Sequence, residues 1–87
     1  MSFSIELGPQ PSKFVSKLDN QTKERIKNKL LKLQEDHFPS EVERVEDYKG
    51  EKVFRVRVGD YRILYLVRYE TNLILVSKVD KRSRVYN

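Results

Sequence analysis

Cysteine and tryptophan are absent from this 87-residue chain, and histidine occurs once, as His37. Without cysteine the chain forms no disulfide and no thiolate metal site, and one histidine builds no metal cluster by itself. No run approaches the ~18 apolar residues that a membrane-spanning helix needs, and the N-terminus lacks a basic start followed by an apolar stretch. These absences predict a cytoplasmic protein in a reducing setting, with no cofactor, no metal and no membrane partner.

The chain is also short and contains only three glycines and three prolines. A chain of this length builds one core and buries about 60% of its extended surface, so its stability is modest. We therefore expect residues 1–87 to form a single domain.

Positive charge is concentrated in the second part of the chain, which accounts for the whole net charge of +5. Residues 1–50 contain nine basic and nine acidic side chains, whereas residues 51–87 contain nine basic and four acidic ones. Six of the eight arginines lie in that second part. Arginine suits bidentate contact with phosphate, so a phosphate-rich polymer is the first candidate partner, although basic runs also occur on ordinary solvated faces.

Residues 53–67 predict a tight β-hairpin, because two runs rich in β-branched and aromatic residues flank a Gly-Asp pair at positions 59–60. A two-residue turn there places Arg57 directly opposite Arg62, and opposed side chains share a face. The predicted apolar face consists of Phe54, Val56, Val58, Tyr61, Ile63 and Tyr65, and the predicted basic face consists of Arg55, Arg57 and Arg62.

The predicted basic face is costly, because like charges directly opposite each other across two strands are destabilising. Stability alone does not explain why Arg57 is set against Arg62. A bound anion would remove the repulsion. The basic face of the hairpin is therefore a candidate anion-binding site.

The remaining segments predict an α+β fold, with an N-terminal strand, a helix hairpin and then an antiparallel sheet. Alternating polarity predicts a strand over residues 2–7, and helical spacing predicts a short helix that opens at positions 11–12 and a long helix over about residues 21–36. An edge strand near residues 44–48 and a last strand over residues 73–80 complete the pattern. Both helices are expected to pack their apolar stripes on one face of the sheet.

The register of the last strand decides a second candidate surface. A three-residue loop places Tyr65 opposite Ser77 and Arg62 opposite Asp80, which keeps charged residues out of the core. This register forms an apolar floor beside the arginines, consisting of Leu64, Leu66, Ile74 and Val76. Such a patch on a small protein predicts a partner, unless the C-terminal tail folds over it. That tail, residues 81–87, combines basic side chains with a tyrosine, as suits phosphate contact and base stacking.

Two segments resemble a known family. They read Phe54-Arg-Val-Arg-Val-Gly-Asp-Tyr-Arg-Ile-Leu-Tyr65 and Val79-Asp-Lys-Arg-Ser-Arg-Val-Tyr86. In these segments, and in the order of its predicted elements, the chain resembles the RelE/ParE superfamily of toxins from toxin-antitoxin systems, and most of all the archaeal RelE branch. The resemblance extends over nearly the whole chain.

The resemblance implies a toxin of a type II system that is a ribosome-dependent endoribonuclease. It would cleave messenger RNA in the decoding site by metal-independent attack of the ribose 2′-hydroxyl. The implied partners are the ribosome, the message and a RelB-like antitoxin protein that wraps around the toxin in a hetero-oligomer. Position by position, the catalytic and phosphate-binding groups fall on Arg55, Arg57, Arg62, Arg82 and Tyr86. Further RNA contacts are expected from Lys52, Lys78, Lys81 and Arg84.

The general base and the exact function are open at this stage. Some bacterial relatives carry lysines where this chain has Arg55 and Arg57, and arginine does not act as a base. The other titratable candidates are Lys52, Lys78, Lys81 and Tyr86, or the ribosome and the RNA supply the base. Two other functions are compatible with the fold: a ParE-like poison of DNA gyrase, and an RNA-binding module without catalysis.

Overall fold

Five strands and two helices make up the part of the chain that the computed structural model describes, residues 3–81 apart from the side chains at positions 46 and 48. In chain order they are β1 (Ser4–Leu7), α1 (Pro9–Ser16), α2 (Asn20–Glu35), β2 (Glu43–Tyr48), β3 (Glu51–Val58), β4 (Tyr61–Arg68) and β5 (Leu73–Lys81). The strands form one sheet in the order β1-β5-β4-β3-β2, in which β1 runs parallel to β5 and the other neighbours are antiparallel. The predicted α+β fold is confirmed.

Local sequence explains where the two helices begin and end. α1 begins at Pro9, two residues earlier than predicted, because proline is well suited to the first turn of a helix. α2 begins after Asp19, whose carboxylate accepts a hydrogen bond from the backbone N–H of Thr22 at 3.1 Å. At the other end of α2, Nδ1 of His37 lies 3.0 Å from the carbonyl oxygen of Leu33. Side chains at both ends therefore cap α2.

The core lies between the helices and one face of the sheet. Ile26 and Leu33 of α2 pack with Ile63 and Tyr65 of β4, and all four side chains are fully or almost fully buried. Each such side chain contributes about 1.5–3 kcal/mol through burial. The hydroxyl of Tyr65 donates a hydrogen bond to the carbonyl oxygen of His37 at 2.6 Å, so this polar group is satisfied. Burial raises the pKa of Tyr65, which stays protonated.

The β3–β4 hairpin has the predicted register and a two-residue turn. The pairs are Val58 with Tyr61, Arg57 with Arg62, Val56 with Ile63, and Arg55 with Leu64. Gly59 has a φ of 58°, a left-handed conformation that suits glycine. The predicted separation of apolar and basic faces in this hairpin is confirmed.

The pairing of β4 with β5 differs from the prediction. The register shifts by one residue after Leu64, so that Tyr65 lies opposite Val76 and not opposite Ser77. Ser77 is the additional residue at this β-bulge, and its hydroxyl donates a hydrogen bond to the carbonyl oxygen of Leu64 at 3.3 Å. A bulge exchanges the two faces of the strand beyond it, and a strict period of two does not reveal it.

The bulge corrects the predicted apolar floor. Ile74 and Val76 lie on the helix side and are 0% exposed in the core, so their predicted place beside the arginines is wrong. Leu64 and Leu66 do lie on the opposite face, and Leu66 is fully buried there. Leu75, directly opposite Leu66, lies on that face in place of Ile74 and Val76.

Candidate functional site

The face of the sheet opposite the helices carries Arg55, Arg57 and Arg62, and we call it the arginine face. Arg57 and Arg62 lie directly opposite each other across β3 and β4. The two helices pack on the other face, where the core lies. The three arginines that the hairpin pattern placed together are therefore together on the side of the sheet opposite the two helices.

The arginine face also contains an acidic residue, Glu43, that no sequence pattern marks as part of a site. Glu43 of β2 is the register partner of Arg55 and forms a salt bridge with its guanidinium group. The hydrogen bond and the charge of Arg55 lower the pKa of Glu43, and the charges of Arg57 and Arg62 lower it further. One carboxylate is thus influenced by all three guanidinium groups, which lie with it on the same face of the sheet. Only the pairing of β2 with β3 reveals Glu43, because the acidic segment around it has no distinctive motif.

Two nitrogens of the arginine face have no hydrogen-bond partner in the part of the chain that the structure describes. Nε of Arg55 and Nε of Arg62 are buried and meet no acceptor among residues 3–81. A buried donor that is left unpaired costs about 1–3 kcal/mol, and charged groups cost more. An oxyanion on this face would accept from such donors and would also relieve the repulsion between opposed arginines.

Acidic residues pair with the cations at the margins of this face. Arg68 binds Glu51 through two hydrogen bonds of 2.9 Å each. Nζ of Lys78 lies 3.6 Å from a carboxylate oxygen of Asp80, and Asp80 lies directly opposite Arg62, as predicted. A carboxylate therefore lies beside Arg62, but among the described residues no salt bridge engages Arg57 or Arg62, and the centre of the face stays rich in positive charge.

Two of the predicted RNA contacts lie away from the arginine face. Lys52 has the same strand parity as Phe54 and lines a groove with that residue on the helix side of the sheet. Lys81 lies directly opposite Tyr61, whose ring packs against Phe14 of α1. Both side chains point away from the arginines, because successive side chains of a strand point to opposite faces, and their contacts with RNA stay predictions.

Part of the predicted site lies beyond the described residues. Arg82, Arg84 and Tyr86 all follow position 81, so their roles stay predictions. Of the four lysines and arginines predicted to contact RNA, Lys78 is the one that the described residues place on the arginine face.

Within residues 3–81, no group of three or more histidine, cysteine, aspartate or glutamate side chains is arranged to hold a metal ion. No helix in this part of the chain is long and apolar enough to cross a membrane. The described chemistry of the site is therefore that of guanidinium groups, ammonium groups and a few carboxylates.

Comparison with known proteins places this chain in a family. Residues 5–86 match the family described as the ParE toxin of type II toxin-antitoxin system, parDE. A curated relative from Methanocaldococcus jannaschii with the name RelE1 is 26% identical over 87 residues, which cover 99% of this chain and 97% of that protein. Both matches extend over nearly the whole chain.

Solved structures have the same fold. The archaeal RelE-RelB complex from Pyrococcus horikoshii OT3 contains a chain with a TM-score of 0.82 and 25% identity, and the match covers 97% of this chain and 99% of that one. The isolated E. coli RelE toxin has a TM-score of 0.73 at 24% identity, with 98% and 92% covered. The likeness to the E. coli toxin concerns the fold alone. The likeness to the Pyrococcus horikoshii chain accompanies sequence similarity along nearly the entire chain.

Proposed function

This chain belongs to the RelE/ParE superfamily of toxins from type II toxin-antitoxin systems, and from that premise we propose that it is an endoribonuclease that cleaves messenger RNA in the decoding site of the ribosome. The observation that carries the proposal is the arginine face, where three guanidinium groups share one side of the sheet and two buried Nε atoms lack an acceptor among residues 3–81. Guanidinium groups bind phosphate oxygens in a bidentate manner, so a phosphodiester suits this face.

The reaction would need no metal ion. The 2′-oxygen of a ribose attacks the adjacent phosphorus and loses its proton to a base, while the bond from phosphorus to the 5′-oxygen breaks and that oxygen takes up a proton. The products are a 2′,3′-cyclic phosphate and a free 5′-hydroxyl. Negative charge grows on the phosphorane in between, and each well-placed donor on the arginine face would accelerate the reaction by about 10² to 10³.

The described residues suggest a proton acceptor for this reaction. Lys52 and Lys81 lie away from the arginines, and Lys78 is paired with Asp80. Glu43, in contact with Arg55, is an ionised candidate, although its lowered pKa makes it a weaker base than an ordinary glutamate. Tyr86, beyond the described residues, is a second candidate for proton transfer.

An antitoxin protein is the expected regulator. The solved relatives include RelE-RelB and RelBE2 toxin-antitoxin complexes. A RelB-like chain with acidic segments would complement the excess positive charge and would occlude the arginine face, forming a hetero-oligomer. Toxicity would then depend on release from that partner.

A direct test compares two targets of this superfamily. Purified chain is incubated with ribosomes programmed with a defined message, and cleavage is mapped by primer extension. In parallel it is incubated with DNA gyrase and supercoiled plasmid, because the matching family is described by its ParE member. We expect new 5′-ends within the codon in the decoding site and no effect on the plasmid.

Other results would contradict the proposal. Linear or trapped plasmid with an intact message would identify a gyrase poison. Binding to programmed ribosomes with neither cleavage nor a plasmid effect would identify an RNA-binding module. Products with a 5′-phosphate and a 3′-hydroxyl, in place of a 2′,3′-cyclic phosphate and a 5′-hydroxyl, would refute the attack by the 2′-oxygen.

A further inference from the structure

A second basic surface lies beside the turn that joins β3 to β4. Four polar residues of α2 line it, and their spacing of three, four and seven positions places them on one side of the helix. They are Arg25, Asn28, Lys29 and Lys32. Arg57 and Gly59 of the hairpin complete the surface, which is a groove of about 340 Å³. We call it the basic groove.

The groove depends on a close contact between α2 and the hairpin turn. A side chain at Gly59 would place its Cβ atom 2.8 Å from Nη2 of Arg25, so the guanidinium group rests against bare backbone. The first residue of β2, Glu43, pairs with Arg55. Within residues 3–81, the edge of β3 beyond that pair has no neighbouring strand, which leaves Arg57 accessible from both the groove and the arginine face.

The basic groove contains more cations than nearby described carboxylates neutralise. Nζ of Lys29 lies 2.6 Å from a carboxylate oxygen of Glu41, and this contact lowers the pKa of Glu41, with a smaller effect from Lys32. Among the described residues, no salt bridge engages Arg25, Lys32 or Arg57. Two cations of α2 and one of β3 therefore line the groove, and none of the three forms a salt bridge with a described carboxylate.

The lining favours a phosphate backbone over a peptide. Peptides that bind in grooves use apolar anchors, and among the described residues the only apolar side chain in this lining is that of Val58, which is buried. Phosphodiesters need cations and amide donors, which the groove supplies through its arginines, lysines and Asn28. The groove between β1 and α2 differs in this respect, because its floor contains Ile5 and Leu31.

We propose that the basic groove binds a phosphodiester of the same RNA strand, next to the one held on the arginine face, with Arg57 shared between the two. The proposal rests on the proposed function in taking RNA as the polymer. The strand would pass from the arginine face around the free edge of β3 and onto α2. The groove would contribute affinity and would position the scissile nucleotide, without itself taking part in bond cleavage.

The test measures binding of a short single-stranded RNA whose riboses are all 2′-O-methylated, so that it cannot be cleaved. Affinity is determined by fluorescence anisotropy at several salt concentrations for the wild-type chain and for Arg25→Gln, Lys32→Gln and the double variant. Lys27→Gln is the matched control, because it removes the same charge from the other side of α2. All substituted side chains are exposed, and thermal unfolding checks that the fold persists.

Each groove variant is expected to weaken binding several-fold and to reduce the slope of log affinity against log salt by about 0.7 for each lost phosphate contact. The double variant should lose about twice that slope, and Lys27→Gln should retain the wild-type slope. Equal slopes for Lys32→Gln and Lys27→Gln would overturn the proposal. So would displacement of the RNA by an oligoglutamate peptide from the wild type but not from the double variant, because the groove would then be a peptide site.

The outcome is independent of the ribosome assay. A reduced slope in the groove variants, with no cleavage of message by the wild type, would support the groove and refute the nuclease. Cleavage by the wild type with unchanged slopes in the variants would support the nuclease and refute the groove.

Discussion

The two faces of the central hairpin are built from the same two strands but have opposite roles. On the helix side Ile63 and Tyr65 are completely buried in the core. On the other side Arg57 and Arg62 oppose each other with like charges. One face supplies the free energy of folding through burial, and the other retains a repulsion that folding does not need. Unfavourable local electrostatics next to a well-packed core therefore indicates a binding surface.

Acidic residues limit the cost of the arginine face. Glu43 binds Arg55, and Glu51 binds Arg68 at the far end of the same face. Because Glu43 is exposed and Glu51 is partly exposed, solvent screens their contribution, and an anion that binds the guanidinium groups more strongly displaces them readily. The face is therefore tolerable without a ligand and is still able to bind one.

The largest expected effect is on the helix side. Replacing Ile63 by Ala should lower the free energy of unfolding by about 2–5 kcal/mol, because it removes buried methyl groups and leaves a cavity. Urea titration followed by circular dichroism measures the change. If Ile63→Ala does not fold, Ile63→Val gives a smaller and measurable loss of about 0.5–1.5 kcal/mol. No loss in either variant would mean that this face does not carry the core.

The arginine face should respond in activity and not in stability. Replacing Arg62 by Gln should reduce cleavage of message on the ribosome by about 10² to 10³, since a donor to the phosphorane is lost. The free energy of unfolding should stay the same or rise by a few tenths of a kcal/mol, because the repulsion with Arg57 disappears. Lys17→Gln, at an exposed position after α1, is the control. Equal cleavage by the two variants would exclude Arg62 from the site.

A smaller effect is expected where a polar group enters the core. Replacing Tyr65 by Phe removes the hydrogen bond to the carbonyl oxygen of His37 and should lower the free energy of unfolding by about 1 kcal/mol. Cleavage at a temperature well below the unfolding midpoint should be unaffected, because the hydroxyl lies on the helix side. A large loss of cleavage in a stably folded Tyr65→Phe would contradict the separation of the two faces.

The smallest effect concerns acid. In the folded chain the pKa values of Glu43 and Glu51 are lowered from the ordinary 4.5, chiefly through hydrogen bonds from Arg55 and Arg68. A lowered pKa in the folded state stabilises the fold above the unfolded value, and this contribution is lost as pH falls through the lower folded value. We therefore expect stability to decline modestly below about pH 4.5, as measured by urea titration at a series of pH values. The decline should be shallower in Glu43→Gln, and an identical pH profile would contradict a role for this carboxylate.

Much of the fold could be predicted because a short turn leaves few alternatives. The Gly-Asp pair at positions 59–60 sets a two-residue turn, and alternation then places every side chain of the hairpin on one face or the other. The register between β4 and β5 was harder to predict. Ile74 and Val76 were assigned to the wrong face, because one additional residue at Ser77 inverts the alternation beyond it. Ile74, Leu75 and Val76 are all apolar and compatible with either face, so the local pattern does not locate the bulge.

The sequence by itself determined the two-faced hairpin, the helix stripes that cover one face, and the concentration of arginine on the other. These features follow from periodicity and turn chemistry, which act between residues close along the chain. Only the tertiary structure decided that Glu43 meets Arg55, that Lys52 faces away from the arginines, and that Arg25 rests on Gly59. The physical reason is that these contacts join separate elements, whose register and distance depend on how the whole core packs.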